Sequence, residues 1–275
     1  MGAIIDVKSL VVKFQNEIMT IVDEKKNKGL TVSIGILQVG NDGGSNFYRN
    51  SVVKLSKKLG IESKEFLMEE NVTEEEIISV VKKINDDDNI NGVLMLLPMP
   101  KGIDSDKVKE ALSPMKDIDG VTTHNIGQFY SGNKAFIPCT PLSVMEILKS
   151  VTELEGKEAV VIGRSNVVGK PLAQLLLNAN CTVTTVHSRT KNIEEVCRRA
   201  DILVSAIGKP KYINSNFVKN GAVVIDVGTS DVDGKITGDV DLEDVIEKVS
   251  YITKVPGGVG SLTTTILLKN LCEGL

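Results

Sequence analysis

Glu158-Ala159-Val160-Val161-Ile162-Gly163-Arg164-Ser165-Asn166-Val167-Val168-Gly169-Lys170-Pro171 is the stretch on which the fold turns. After Glu158, residues 159–162 are apolar and largely β-branched, so 158–162 predicts a buried strand, and 170–178 predicts an apolar helix. The turn between them presents backbone N–H groups at a helix N-terminus, where a parallel sheet can meet a phosphate. Gly163 permits the tight turn and a close backbone approach, while Gly169 permits close packing of helix on strand. No glycine lies between these two, so the pattern is not the usual G-x-G-x-x-G. Taken alone, such a turn also suits a plain structural crossover. Strand-like runs at 182–186, 202–206 and 222–227, alternating with helical segments, favour a dinucleotide-binding sheet instead.

Working back toward the N-terminus, 7–28 has helical spacing, with Leu10, Val11, Phe14, Ile18 and Val22 on one side. A β-branched run at 31–39 predicts a strand ending at Gly40. Ser45 is the expected N-cap of a helix reaching about residue 59. A strand at 61–67 follows, then a helix opened by the capping-box pattern Thr73-Glu74-Glu75-Glu76. The strand at 92–97 stops at Pro98-Met99-Pro100. Toward the C-terminus, Pro256-Gly257-Gly258-Val259-Gly260 precedes an apolar helix at 262–271, with too little chain after it for a domain of its own.

The expected fold class is therefore α/β with two domains. A small α/β domain spans 1–140, and a Rossmann-like domain with a parallel sheet spans 141–260. The segment 261–275 packs back onto the first domain.

Composition narrows the function classes. The chain has 275 residues, enough for two cores, and 41% hydrophobic with 25% charged residues is a soluble globular balance. A formal net charge of -4 gives no sign of a nucleic-acid or membrane-surface partner. No apolar run approaches the roughly 18 residues of a membrane span, and no signal-peptide core is present, so a cytoplasmic protein is expected. Cys139, Cys181, Cys197 and Cys272 are scattered and read as free thiols, and with only two histidines no metal site is expected.

The end of the second dinucleotide-domain strand bears on the cofactor. An NAD-selective site usually places an acid there to hold the ribose hydroxyls. Here the chain reads Val186-His187-Ser188-Arg189-Thr190, without an acid. Arg164 and Ser188, together with Arg189, are suited to a 2′-phosphate, although Arg189 also reads as a solvated loop residue. NADP is favoured over NAD.

Five blocks, in order, carry a resemblance. They are Lys116-Asp117-Ile118-Asp119-Gly120 with Asn125 and Gly127; Pro138-Cys139-Thr140-Pro141; Gly163-Arg164-Ser165 with Val168-Gly169 and Pro171; His187-Ser188-Arg189-Thr190; and Val255 to Gly260. Together they resemble the bifunctional methylenetetrahydrofolate dehydrogenase/methenyltetrahydrofolate cyclohydrolase family from about residue 31 onward. The first 30 residues match only as a helix.

The resemblance implies a homodimer that binds a tetrahydrofolate one-carbon substrate between its domains. By position, Tyr48 would stack on the folate ring system and Asp119 would accept from the pterin's donor edge. Val52, Met95, Leu96 and Leu97 would line the substrate site, with Pro256, Gly257, Gly258 and Val259. The cofactor would meet Gly163, Arg164, Ser165, Val168, Gly169, Ser188, Arg189 and Thr229.

Two positions depart from that family. Its helix normally carries Tyr-x-x-x-Lys, and the lysine drives the hydrolytic step; counting from Tyr48, that position is Val52. Its Gln-Leu-Pro strand end is here Leu96-Leu97-Pro98, so the glutamine position is Leu96. Lys54 does not substitute, because a residue six after Tyr48 lies about 240° around a helix whereas one four after lies about 40° away. A dehydrogenase with weak or absent cyclohydrolase activity is expected. The alternatives are a fully bifunctional enzyme and a non-catalytic folate- or dinucleotide-binding paralogue.

Overall fold

A computed structural model describes residues 2–274, so Met1 and Leu275, at the ends of the expected domains, lie outside it. The chain opens with β1 (Ala3–Ile4) and α1 (Val7–Asn27), then β2 (Ser33–Val39), α2 (Gly43–Lys58) and β3 (Glu62–Met68). Next come α3 (Glu74–Asn85), β4 (Gly92–Met95), α4 (Ser105–Glu110), α5 (Thr123–Tyr130) and α6 (Cys139–Lys149). The central alternation is β5 (Glu158–Ile162), α7 (Gly169–Asn178), β6 (Thr182–Val186), α8 (Ile193–Cys197) and β7 (Ile202–Ser205). The chain ends with β8 (Val223–Asp226), β9 (Ser230–Val232), β10 (Lys235–Thr237), α9 (Leu242–Val245), β11 (Tyr251–Ile252) and α10 (Val259–Glu273).

One compact unit comprises Lys13–Ile137 and the chain from Thr264 onward. Its parallel sheet has the order β3-β2-β4, in which Leu37 pairs with both Phe66 and Met95. All seven residues of β2 are buried, as a central strand covered on both faces requires. Helix α3 turns Ile77, Val81 and Ile84 inward onto Leu37, Val39 and Val93. Each such side chain contributes roughly 1.5–3 kcal/mol by leaving water. The capping box at Thr73 forms as its sequence predicts: Glu76 N donates to Thr73 Oγ1 (3.2 Å) and Thr73 N to Glu76 Oε2 (2.7 Å). The N-cap of α2 is Asp42 rather than Ser45. The Asp42 carboxylate accepts from both Ser45 N (2.8 Å) and Ser45 Oγ (3.0 Å), so the helix starts one turn earlier.

The other unit comprises Pro138–Thr263 and the N-terminal residues through Val12. Its six strands are all parallel, in the order β1-β11-β8-β7-β5-β6. The direction of strand succession reverses at β5, which has β6 on one side and β7 on the other. A separate antiparallel hairpin, β9–β10, follows β8. The sequence reading placed all of 1–140 in the first domain, and here the structure differs. Ala3 pairs with Tyr251 and Ile4 with Ile252, so the N-terminus completes the second unit's sheet. Among the described residues, no helix is long and apolar enough to cross a membrane.

Candidate active site

In the three-stranded unit, α2 sets Tyr48 and Val52 one turn apart. Tyr48 is half-buried and Val52 is 0% exposed. Lys54 is exposed, in keeping with its angular position. At the end of β4, Met95 and Leu96 are buried and Leu97 is 40% exposed. Leu96 N donates to Leu37 O (2.9 Å), carrying the pairing one residue past the strand. Ser45 Oγ donates to Leu97 O (3.1 Å), which ties the start of α2 to this strand end. The segment holding Asp119 runs beside β4, through a bridge between Val93 and Asp117 and a bond from Val93 N to Lys116 O (2.7 Å). Tyr48, Val52, Met95, Leu96, Leu97 and Asp119 thus lie on elements joined to one another within one unit.

The Asp119 segment is unusually well held. Lys116 Nζ donates to Ile84 O (2.9 Å), Asn85 O (2.8 Å) and Asp87 O (2.8 Å), closing the C-terminus of α3. Burial lowers the pKa of Lys116, partly offset by Asp86, Asp87 and Asp88. Asp117 is 0% exposed and accepts from Val121 N, Thr122 N, Thr122 Oγ1 and Asn125 Nδ2 at 2.7–3.0 Å. Asp119, two residues on, is half-buried. The acid that the sequence singled out is therefore presented by a neighbouring acid that it did not.

In the six-stranded unit, Gly163 ends β5 at the point where strand succession reverses, the usual ligand position of an open parallel sheet. Its φ is 125°, and a Cβ there would lie 2.5 Å from Ala206 O, at the end of β7. A Cβ on Gly169 would collide with the carbonyl of Gly163. Both glycines are thus required by close backbone approach, and the turn they make is a cradle that larger residues would fill. Ser165 Oγ accepts from Val168 N (3.2 Å) and Gly169 N (3.3 Å), closing the turn onto α7. Arg164 and Ser165 are exposed, and Val168 is half-buried.

Gly163 N donates to Val186 O (2.9 Å), bringing this turn beside the one at the end of β6. There His187 N donates to Thr190 Oγ1 (2.9 Å) and Thr190 N to His187 O (2.8 Å), leaving Ser188 and Arg189 exposed at the tip. Thr229 is exposed just beyond β8. Pro256 and Gly257 are exposed, Gly258 is buried, and Val259 is 2% exposed as α10 begins.

The chain matches two family models in succession. Residues 5–119 match the catalytic domain of tetrahydrofolate dehydrogenase/cyclohydrolase, and residues 138–275 match its NAD(P)-binding domain. The chain belongs to the tetrahydrofolate dehydrogenase/cyclohydrolase family. It is 52% identical over 277 residues to a bifunctional protein FolD of Clostridium botulinum, covering 100% of this chain and 98% of that protein. The bifunctional FolD structure from Campylobacter jejuni is similar with a TM-score of 0.97 at 39% identity, covering 100% and 98% of the two chains. The Trypanosoma brucei FolD, complexed with NADP cofactor and inhibitor, gives a TM-score of 0.93 at 34% identity, covering 98% and 96%.

For a member of this dehydrogenase/cyclohydrolase family, one pair of residues went unread in the sequence. Asp239, 0% exposed, accepts from Ser205 Oγ (2.9 Å), Ile207 N (2.8 Å) and Lys209 N (2.7 Å), shaping the loop after β7. Asp226, 3% exposed, accepts from Gly228 N (2.9 Å), Asp239 N (3.0 Å) and Val240 N (2.9 Å), shaping the turn that leads to Thr229. Burial pushes Asp226 up to about 6; its N–H donors oppose the rise and the charge of Asp239 adds to it. The signal was Asp226-Val227-Gly228 and Gly238-Asp239-Val240, an acid set close to a glycine at each strand end.

Proposed function

We propose that this chain oxidises methylenetetrahydrofolate to methenyltetrahydrofolate with NADP, and hydrolyses the methenyl product weakly or not at all. The observation that carries the second half is the burial of Val52 at 0% and Leu96 at 4% exposure, where the family motif has lysine and glutamine. Other cations of α2 are engaged or turned away. Arg49 pairs with Glu65 (3.2 Å) and donates to Gln38 Oε1 (3.0 Å), Lys58 donates to Gln15 (2.7 Å), and Lys54 and Lys57 are exposed.

The two reactions ask different things of these residues. In oxidation, a folate ring nitrogen's lone pair helps expel hydride from the methylene carbon, so the protein supplies alignment and a dry site. NADP, when bound, supplies the hydride acceptor. Tyr48 would stack on the folate and Asp119 would hold the pterin edge, while the Gly163–Gly169 turn would receive the pyrophosphate. Arg164, Ser188 and Arg189 would meet the 2′-phosphate, which favours NADP over NAD. In hydrolysis, water attacks the methenyl carbon and loses a proton, and a ring nitrogen gains one before its C–N bond breaks. Positioned acid–base groups typically supply about 10²–10⁴-fold in such steps. Valine and leucine supply neither a proton nor a hold on water.

Full bifunctionality is the second reading, favoured by the bifunctional FolD name of the relative at 52% identity. Following reduced nicotinamide and methenyltetrahydrofolate separately by absorbance distinguishes the two. Methenyltetrahydrofolate is expected to accumulate mole for mole with the reduced cofactor, and formyltetrahydrofolate to form no faster than in buffer alone. Formyltetrahydrofolate formed as fast as the cofactor is reduced would overturn the single-activity reading. The V52K/L96Q double variant is expected to speed hydrolysis at least about tenfold, a partial recovery of the roughly 10²–10⁴-fold that positioned acid–base groups supply. In this reading the enzyme is a cytoplasmic homodimer, and sedimentation at about twice 29.7 kDa checks the dimer.

A further inference from the structure

Asn270 stands on α10, 152 residues from Ile118 in the chain, and is 6% exposed. Its Nδ2 donates to Ile118 O (2.9 Å) and to Ile137 O (3.3 Å). Ile118 is the residue before Asp119. The residue after it, Gly120, has φ 61°, and a Cβ there would lie 2.6 Å from Phe136 O and 2.9 Å from the carbonyl carbon of Ile137. One amide nitrogen therefore joins the two backbone segments that meet at Asp119, one bond to each.

The chemistry suits a carboxamide in particular. Two carbonyls, one buried and one partly buried, need two N–H donors from one point, without a charge to desolvate. Leucine of similar size would remove both donated bonds, and aspartate would turn lone pairs toward the two carbonyls. Upstream, Lys116 and Asp117 fix the segment's entry; Asn270 ties α10 to the carbonyl adjoining the acid.

We propose that Asn270 is a positioning residue for folate, holding the Asp119 backbone so that its carboxylate meets the pterin's donor edge. This rests on the reading of Asp119 as the pterin acceptor. The tests are N270L, N270S, D119A and the N270L/D119A pair in the full-length enzyme, with KM for methylenetetrahydrofolate, kcat, NADP affinity and unfolding midpoint measured for each. N270L is expected to raise the folate KM about tenfold, the equivalent of about one lost hydrogen bond. NADP affinity should stay within about twofold of wild type, and N270S, which can keep one donor, should give an intermediate KM. Added to D119A, N270L should raise KM less than about twofold further, because both act through one contact.

A folate KM unchanged in N270L and N270S, or a full additional effect on top of D119A, would overturn the proposal. Equal losses of folate and NADP affinity would do the same, by indicating general structural damage. If N270L does not fold, N270S carries the test. An unchanged KM in D119A itself would remove the premise and the proposal together, whereas a defect in D119A with none in the Asn270 variants would remove only the positioning role.

Discussion

Asp226 shows how one buried acid can link pH to the shape of the cofactor-side loops. Its three backbone N–H donors favour the carboxylate, yet burial prevails and raises its pKa from 3.8 to about 6. The folded protein then binds this proton more tightly than the unfolded chain does. The resulting stability is fully present below about pH 3.8 and is lost as pH rises through about 6. Urea unfolding of wild type and D226N across pH 4–7 should therefore show their difference in stability shifting against wild type as pH rises. A difference that moves the other way would mean that the N–H donors outweigh burial. Leu96 makes the complementary point at this scale: its identity was plain in the sequence, but its 4% exposure was not. Residue identity states what chemistry is present; burial decides what it costs.

Among the elements, α3 joins a locally encoded end to one decided at long range. Its N-terminus is closed by Thr73 and Glu76, three residues apart, so the capping box was readable directly. Its C-terminus is closed by Lys116, whose ammonium reaches three carbonyls about thirty residues back. Nothing in the local pattern at 82–87 announces that partner. K116M is expected to destabilise the protein by about 1–2 kcal/mol, the loss of charged bonds to partly buried carbonyls, measured as a drop in urea midpoint. The same substitution should raise the folate KM, because the Lys116 segment carries Asp119. Helix α2 was misjudged by one turn for a related reason: Asp42 and Ser45 are both good caps, and only the coordinates show which one accepts.

For the whole molecule, cofactor choice is expected to appear as stability. A ligand that binds only the folded state at about a hundred times its Kd adds about 2.7 kcal/mol. NADP at that concentration should raise the unfolding midpoint, and NAD at the same concentration should raise it much less. Equal shifts would remove the 2′-phosphate role of Arg164, Ser188 and Arg189.

Read alone, the sequence established the α/β class and the glycine turn at 163–169, and it singled out the block at 116–120. Those signals are short-range: a strand's branched residues, a helix's period and glycines a few places apart. The coordinates decided that the N-terminal strand pairs with Tyr251–Ile252, that Asp226 and Asp239 hold neighbouring loops, and that Asn270 reaches Ile118. Each of these is a hydrogen-bond match between segments that the chain brings together only on folding. Local periodicity carries no record of such a match, because either partner alone reads as an ordinary polar side chain or a two-residue run.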